Sequence, residues 1–328
     1  MTLRLPAAVV RAGAHQIGRR ALNPALPWEA QRRRLDLLVG SWPLPRGTSV
    51  TKTTLNGVRA EVVAAGRPGT GAMSRNATPD SRTAVATVVH FHGGGYCVGS
   101  PAEARSWAAR LSVRAGCRVI LPDYRLAPDH PYPSALQDAR AVLDSVLSET
   151  RGGPVVLSGD SAGGGLALAA LAAPPESGDT TPATASGAAG VSGISGVSGC
   201  MLLSPWLDLA ADRAAVPELV RRDVLLTPAW LEACARAYAP TVDLADPSIS
   251  PLNADLGSLP PLLIQSGADD LLAPDAERLA VRAKDAGTDV TYTRWPGLWH
   301  DFVLQPDLVA AADSALTQAS WFVTRLSG

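Results

Sequence analysis

The chain is poor in several features that would direct it to other classes of protein. Its 328 residues include only four cysteines, Cys97, Cys117, Cys200 and Cys234, scattered without a Cys-x-x-Cys pair or a histidine at ligand spacing. That pattern excludes a disulfide framework and a zinc site, and the expectation is free, buried thiols in a reducing cytoplasm. Charge of one sign is also missing: 29 Lys and Arg stand against 30 Asp and Glu, a net −1. Such a balance provides no basic face for nucleic acid and no electrostatic reason for a membrane or polyanion partner. No apolar run approaches the roughly 20 residues of a membrane span. The stretch from Met1 to Arg20 has a short apolar segment flanked by arginines and no convincing cleavage site, so it reads as an amphipathic helix rather than a signal peptide. A cytoplasmic protein without stable membrane insertion is expected, with one large domain or one domain plus a small accessory piece.

What is present has a clear rhythm. Residues 1–50 read as helical, with Trp28, Leu35, Leu37 and Leu38 beside Arg32, Arg33 and Arg34. From Gly57 the period changes, and Val58 to Gly66 suggests a first strand. A polar stretch from Arg67 to Arg82 reads as a loop. Short β-rich runs then alternate with helical ones: TAVATVVHF, CRVILPDY, a helix from Pro133 to Thr150, PVVLSG, a helix in GGGLALAALAA, CMLLSPW, PPLLIQSG and VTYTRW, with helices at Asp275–Ala286 and Val309–Leu326. This alternation predicts an α/β fold with a mainly parallel sheet covered on both faces. Two segments break the pattern. Residues 174–199 are almost wholly Pro, Ser, Thr, Gly and Ala, too poor in apolar area to order, and predict a mobile loop. Residues 206–251 are less strand-like, with a helix near Pro228–Tyr238, and form an insertion between two core strands.

The chemistry is concentrated in a few short motifs. Gly159-Asp160-Ser161-Ala162-Gly163 lies between a predicted strand and a predicted helix. A nucleophilic serine needs that setting, because a tight turn must lift the hydroxyl above the sheet while flanking glycines let strand and helix pass. Without this setting, Gly-x-Ser-x-Gly would be a weak signal in a chain this rich in glycine and would fit a plain glycine turn or phosphate loop equally well. His92-Gly93-Gly94-Gly95-Tyr96 follows another strand. Attack on an ester creates an oxyanion that needs preorganised N–H donors, and the amides of Gly94, Gly95 and Ala162 are the candidates. The serine also needs a base. Of the five histidines, His15 falls in the N-terminal helix, His90 within a strand, His92 in the glycine loop and His130 in a proline-rich turn, whereas His300 follows the last strand and a turn. His300 is therefore the candidate base. Either Asp269 or Asp270, at the end of strand PPLLIQSG, is within reach to orient it. Asp275 reads as a helix-start residue and Asp301 as a solvated or locally bonded group.

HGGGY, GDSAGGGLA, DYRLAPDHPYPSALQDA and the pair GADDLLAPDA and PGLWHDF together resemble the hormone-sensitive-lipase-like bacterial esterases, family IV of the bacterial lipolytic enzymes, from about Val85 to the C-terminus. The resemblance implies an α/β-hydrolase fold and, three positions after a strand-end glycine and two before a leucine, a triad acid. On this chain that is Asp270, with Asp269 as the fallback. It also implies a helical cap, for which residues 1–50 and about 206–251 match by position, leaving 51–328 as the catalytic domain. The expected activity is hydrolysis of small carboxylic esters through an acyl-enzyme, with no cofactor and no metal. Trp107, Trp206, Trp230, Tyr238 and Leu298 are candidates to line an apolar site, and only three methionines favour short or medium acyl chains over long-chain fat. The same machinery also serves amidases, lactonases and deacetylases. Some similar proteins, such as plant gibberellin receptors, only bind a small molecule, having lost the base. A homodimer fits the family without a signal of its own in this chain.

Overall fold

The computed structural model describes residues 5–39, 43–66, 86–150, 153–172 and 196–327. Within them, strands β1 (Thr48–Leu55), β2 (Val58–Ala65), β3 (Thr87–Phe91), β4 (Arg118–Pro122), β5 (Val155–Asp160), β6 (Val197–Leu203), β7 (Leu262–Gly267) and β8 (Val290–Trp295) form one sheet in the order β1-β2-β4-β3-β5-β6-β7-β8. β2 runs antiparallel to β1 and β4, and from β4 onward neighbours are parallel. Residues of β3, β5 and β7 are buried along their whole length, as apolar strands covered on both faces must be.

Side-chain alternation divides the core in two. Val89, Leu157, Leu202 and Ile264 point to one face, where they pack with α4 (Ser134–Glu149), α5 (Ala162–Ala172) and α8 (Ala273–Asp285). Their neighbours Val88, Val156, Met201 and Leu263 point to the other, against α3 (Arg105–Ala115) and α9 (Ala310–Arg325). Helix α5 is buried on every side, which explains its uniformly small and apolar composition.

Strand β1 and helix α3 lie outside the sequence-based expectation. The chain enters the sheet at Thr48, one strand before Gly57. β1 joins β2 through Asn56 and Gly57, both at positive φ (43° and 88°), which is the Asn-Gly hairpin turn. Its residues, TSVTKTTL, form a mostly exposed edge and so carry little of the hydrophobic signal that marks an inner strand. α3 was likewise unforeseen, because its buried face consists largely of alanine and serine around Trp107 and Leu111. Most of the predicted 174–199 loop and the whole Arg67–Arg82 loop lie outside the described residues, while positions 197–199 open β6.

Above the C-terminal ends of the strands lie α1 (Ala7–Ala21), α2 (Trp28–Val39), α6 (Pro217–Arg222) and α7 (Pro228–Tyr238). Arg32 of α2 donates to the carbonyls of Cys97 (2.8 Å) and Ala127 (2.7 Å). The indole N–H of Trp230 on α7 donates to Gln31 of α2 at 2.9 Å. Arg11 of α1 donates to Asp269 at 2.8 Å and to the Gly297 carbonyl at 3.1 Å. The segment leaving β6 is anchored by Asp275, which is fully buried in the first turn of α8. Its carboxylate accepts from the Leu207 and Asp208 amides and from both terminal nitrogens of Arg213. Removing one partner of such a buried pair typically costs about 3–5 kcal/mol, so Asp275 does more than start its helix. Among the described residues no helix is long and apolar enough to cross a membrane.

Candidate active site

Ser161 sits between the last residue of β5 and the first of α5, in the left-handed region at φ 52°. A non-glycine residue rarely adopts that conformation, and here it is held by tight packing. A Cβ on Gly163 would lie 2.0 Å from the Phe91 carbonyl oxygen, and one on Gly159 would lie 2.2 Å from that of Gly163. The Ser161 amide donates to Leu203 of β6, and its carbonyl accepts from Trp206, each at 2.9 Å. The turn is therefore pinned from both adjacent strands.

The glycine loop presses on this turn. A Cβ on Gly93 would meet Asp160 Oδ2 at 2.4 Å and Ser161 Cβ at 3.0 Å. Gly94 (φ 99°) and Gly95 (φ 61°) have left-handed backbones; a Cβ on Gly94 would strike the Val98 carbonyl oxygen at 2.2 Å, and one on Gly95 would meet Cys234 and Trp230. Only glycine fits there. Among the described residues the amides of Gly94, Gly95 and Ala162 donate to no other protein group, and that of Ala162 opens α5, where orphan donors are inherent.

His300 lies on the loop after β8. Its Nε2 is 3.0 Å from Ser161 Oγ, and its Nδ1 is 3.0 Å from Asp270 Oδ1. Asp270 is fully buried and also accepts the Leu272 amide at 2.8 Å. The two loops are laced together, since Ala268 donates to Trp295 (2.8 Å) and Asp269 to Leu298 (2.9 Å) through their backbones. Asp269 turns its side chain away, to Arg11 at 2.8 Å and Arg222 at 3.8 Å. The two adjacent acids thus face different partners, a distinction their spacing alone did not make.

Three further features are structural findings. His90 of β3 and Asp160 of β5 form a buried pair (3.0 Å), with Ser158 2.9 Å from the other imidazole nitrogen. The parallel register that sets His90 beside Ser158 brings this pair together behind the glycine loop. Of the two readings open for Asp301 the locally bonded one holds, since its side chain is only 17% exposed and its Oδ2 lies 3.0 Å from His300 Nε2. The proposed apolar lining also divides: Trp206, Trp230 and Tyr238 pack in the cluster that contains Tyr96, whereas Trp107 and Leu298 belong to the cluster on the other face. Trp107 lies beside His90, the rings tilted with centroids 4.7 Å apart. His15 and His130 are exposed and take no part.

Burial alone lowers the proton affinity of His300, but the charges of Asp301 and then Asp270 outweigh it and hold the imidazole proton well above its ordinary range. Asp223, behind Asp270, is pushed up chiefly by burial and then by the Asp270 charge. Among the described residues no group of three or more His, Cys, Asp or Glu is arranged to hold a metal ion.

A mostly parallel eight-stranded sheet with a serine on the turn between its fifth strand and following helix, and a histidine after its last strand, defines an α/β-hydrolase. The family model described as "alpha/beta hydrolase fold" matches residues 88–304. Among curated proteins the chain is 35% identical over 255 residues to an acetyl-hydrolase of Streptomyces hygroscopicus, covering 77% of this chain and 79% of that protein. It is 29% identical over 299 residues to an esterase of Acinetobacter venetianus, covering 90% and 89%. A crystal structure of an esterase from the bacterial hormone-sensitive lipase family superposes with a TM-score of 0.80 at 27% identity, covering 99% of this chain and all of the other. The chain belongs to the hormone-sensitive-lipase family of α/β-hydrolases, and it is a carboxylic-ester hydrolase.

Proposed function

We propose that the protein is a serine carboxylesterase that hydrolyses short- to medium-chain acyl esters through an acyl-enzyme. The observation that carries this reading is the continuous chain from Asp270 through His300 to Ser161, with both links at 3.0 Å. Ser161 attacks the ester carbonyl as His300 Nε2 takes its proton, and Asp270 stays ionised to orient the ring and stabilise the imidazolium. The amides of Gly94, Gly95 and Ala162 receive the developing oxyanion. His300 returns the proton to the departing alcohol. Water, deprotonated by the same nitrogen, then releases the acid and restores Ser161. No step calls for a cofactor.

The helices of residues 1–50 and the 206–251 segment serve as the cap over this site. Their contacts with the Cys97, Asp269 and Gly297 loops support that role. Trp206 follows β6 beside Ser161, and the ring of Trp230 lies against Gly95. Bulky, buried rings at those places favour small acyl groups, in keeping with a relative named acetyl-hydrolase. Four buried free thiols suit a reducing cytoplasm.

The test is kcat/KM for p-nitrophenyl acetate, butyrate, octanoate and laurate beside the matching anilides and a lactone. Acetate or butyrate should lead, with laurate about tenfold or more slower, since each poorly housed methylene is penalised. A preference for laurate would contradict the acyl-length assignment, and faster cleavage of the anilides or the lactone would move the protein to another acyl-transfer class.

A further inference from the structure

His300 has two nitrogens, and the triad uses both. Nδ1 faces Asp270, and Nε2 faces Ser161. Nε2 has a second neighbour in Asp301 Oδ2, at the same 3.0 Å as the serine hydroxyl. Three further observations make this contact part of the site's construction. Asp301 is held at φ 53°, in the left-handed region, a conformation a side-chain-bearing residue rarely adopts. Its amide donates to the hydroxyl of Ser204 at 3.2 Å, and Ser204 sits at the end of β6 with φ 45°. Its other oxygen, Oδ1, is buried with no hydrogen-bond partner among the described residues, so the carboxyl group is committed to the imidazole.

A carboxyl oxygen 3.0 Å from an imidazole nitrogen favours a proton on one of the two groups, because two bare lone pairs at that distance repel. With Nδ1–H directed at Asp270, that proton makes either an imidazolium beside a carboxylate or a neutral imidazole beside a carboxylic acid. In both arrangements the Nε2 lone pair is occupied and cannot take the proton of Ser161. We propose that Asp301 is a positioning residue for ester hydrolysis: it retains a shared proton on the nucleophile-facing nitrogen of His300, so the base becomes available only when that proton leaves. The inference rests on the triad reading above and adds a second carboxylate to it.

The surroundings act in the same direction. The titratable groups facing the pair are mostly acidic: Asp270 on one side, Asp160 and Glu103, whose carboxyl burial pushes up, on the other, and Asp223 behind Asp270. His90, paired with Asp160, and His92 are the neighbouring titratable bases. Burial first, then Asp160 and Asp270, raises the Asp301 carboxyl, with His300 opposing. The sign follows. A carboxylate at Nε2 increases the proton affinity of His300, so the free-base form appears only as pH rises through that elevated value. Removing the carboxylate lets the free base form at lower pH.

The test measures kcat/KM against pH for p-nitrophenyl acetate with the wild type, Asp301→Asn and Asp301→Gly, alongside an NMR titration of the His300 ring in each. Asparagine keeps the shape without the charge, and glycine also relieves the left-handed backbone. The acid limb and the ring titration should both move to lower pH in the two variants, by about one unit or more. On the acid limb this raises the ratio of low-pH to high-pH activity about tenfold for each unit. Coincident limbs and coincident ring titrations in all three proteins would overturn the proposal. Full activity in Ser161→Ala would instead overturn the triad reading beneath it, whatever the limb does.

Discussion

Replacing Ser161 by alanine lowers kcat/KM for the preferred ester by a factor on the order of 10⁵, about 7 kcal/mol of transition-state stabilisation, while the far-UV spectrum and the thermal midpoint stay close to wild type. The size of the effect follows from the role, since without the hydroxyl no acyl-enzyme forms and only the oxyanion donors and substrate binding remain to assist direct attack by water. The fold should tolerate the change. The hydroxyl faces His300 rather than the core, and the turn is held by the backbone bonds of residue 161 and by the glycines at 159 and 163. Activity within tenfold of wild type would remove Ser161 from the chemistry.

The second large effect separates two adjacent residues. Asp270→Asn costs about 10⁴-fold in kcat, because the amide can donate an N–H to Nδ1 and so fix the tautomer with Nε2 protonated, and it carries no charge to stabilise the imidazolium. Asp269→Asn changes kcat by no more than a few-fold. That side chain pairs with Arg11 and Arg222, so its loss is felt in stability, by about 1 kcal/mol or less for a partly exposed pair. Steady-state kinetics of the two variants, with thermal denaturation alongside, gives the comparison. Equal losses of activity, or a larger loss at 269, would reverse the assignment of the acid.

This pair also illustrates what the sequence could reveal. Ser161, His300 and the glycine loop were legible because each needs a local pattern: glycines where no Cβ fits, a strand before the turn, and a histidine after the last strand. The choice between Asp269 and Asp270 was not decided by that local pattern. It depends on Arg11, more than 250 residues away in the chain, which engages one carboxylate and leaves the other to the imidazole. The sequence leaves Asp301 open between a solvated and a locally bonded group for a similar reason. Its place beside a histidine in sequence does not choose between the two, and the structure sets its carboxylate, on a left-handed backbone, 3.0 Å from Nε2. His90 and Asp160 meet through the register of β3 with β5, which is invisible to periodicity. The parallel inner strands were readable as apolar runs, but β1 was not, because an exposed edge needs little hydrophobicity. Trp107, one of the candidates to line an apolar site, packs in the cluster on the other face of the sheet, and a lone tryptophan gives no sign of which face its helix covers.

The most direct measurement is the intact mass and peptide map of the protein after reaction with an alkyl fluorophosphonate. Such a reagent bonds covalently to an activated serine, with fluoride leaving and the proton passing to the base. One adduct per chain, on the peptide bearing Ser161, absent in Ser161→Ala and formed far more slowly in His300→Ala, is the expected result. Labelling of a different residue, or unimpaired ester hydrolysis by a protein that takes up no label, would contradict it.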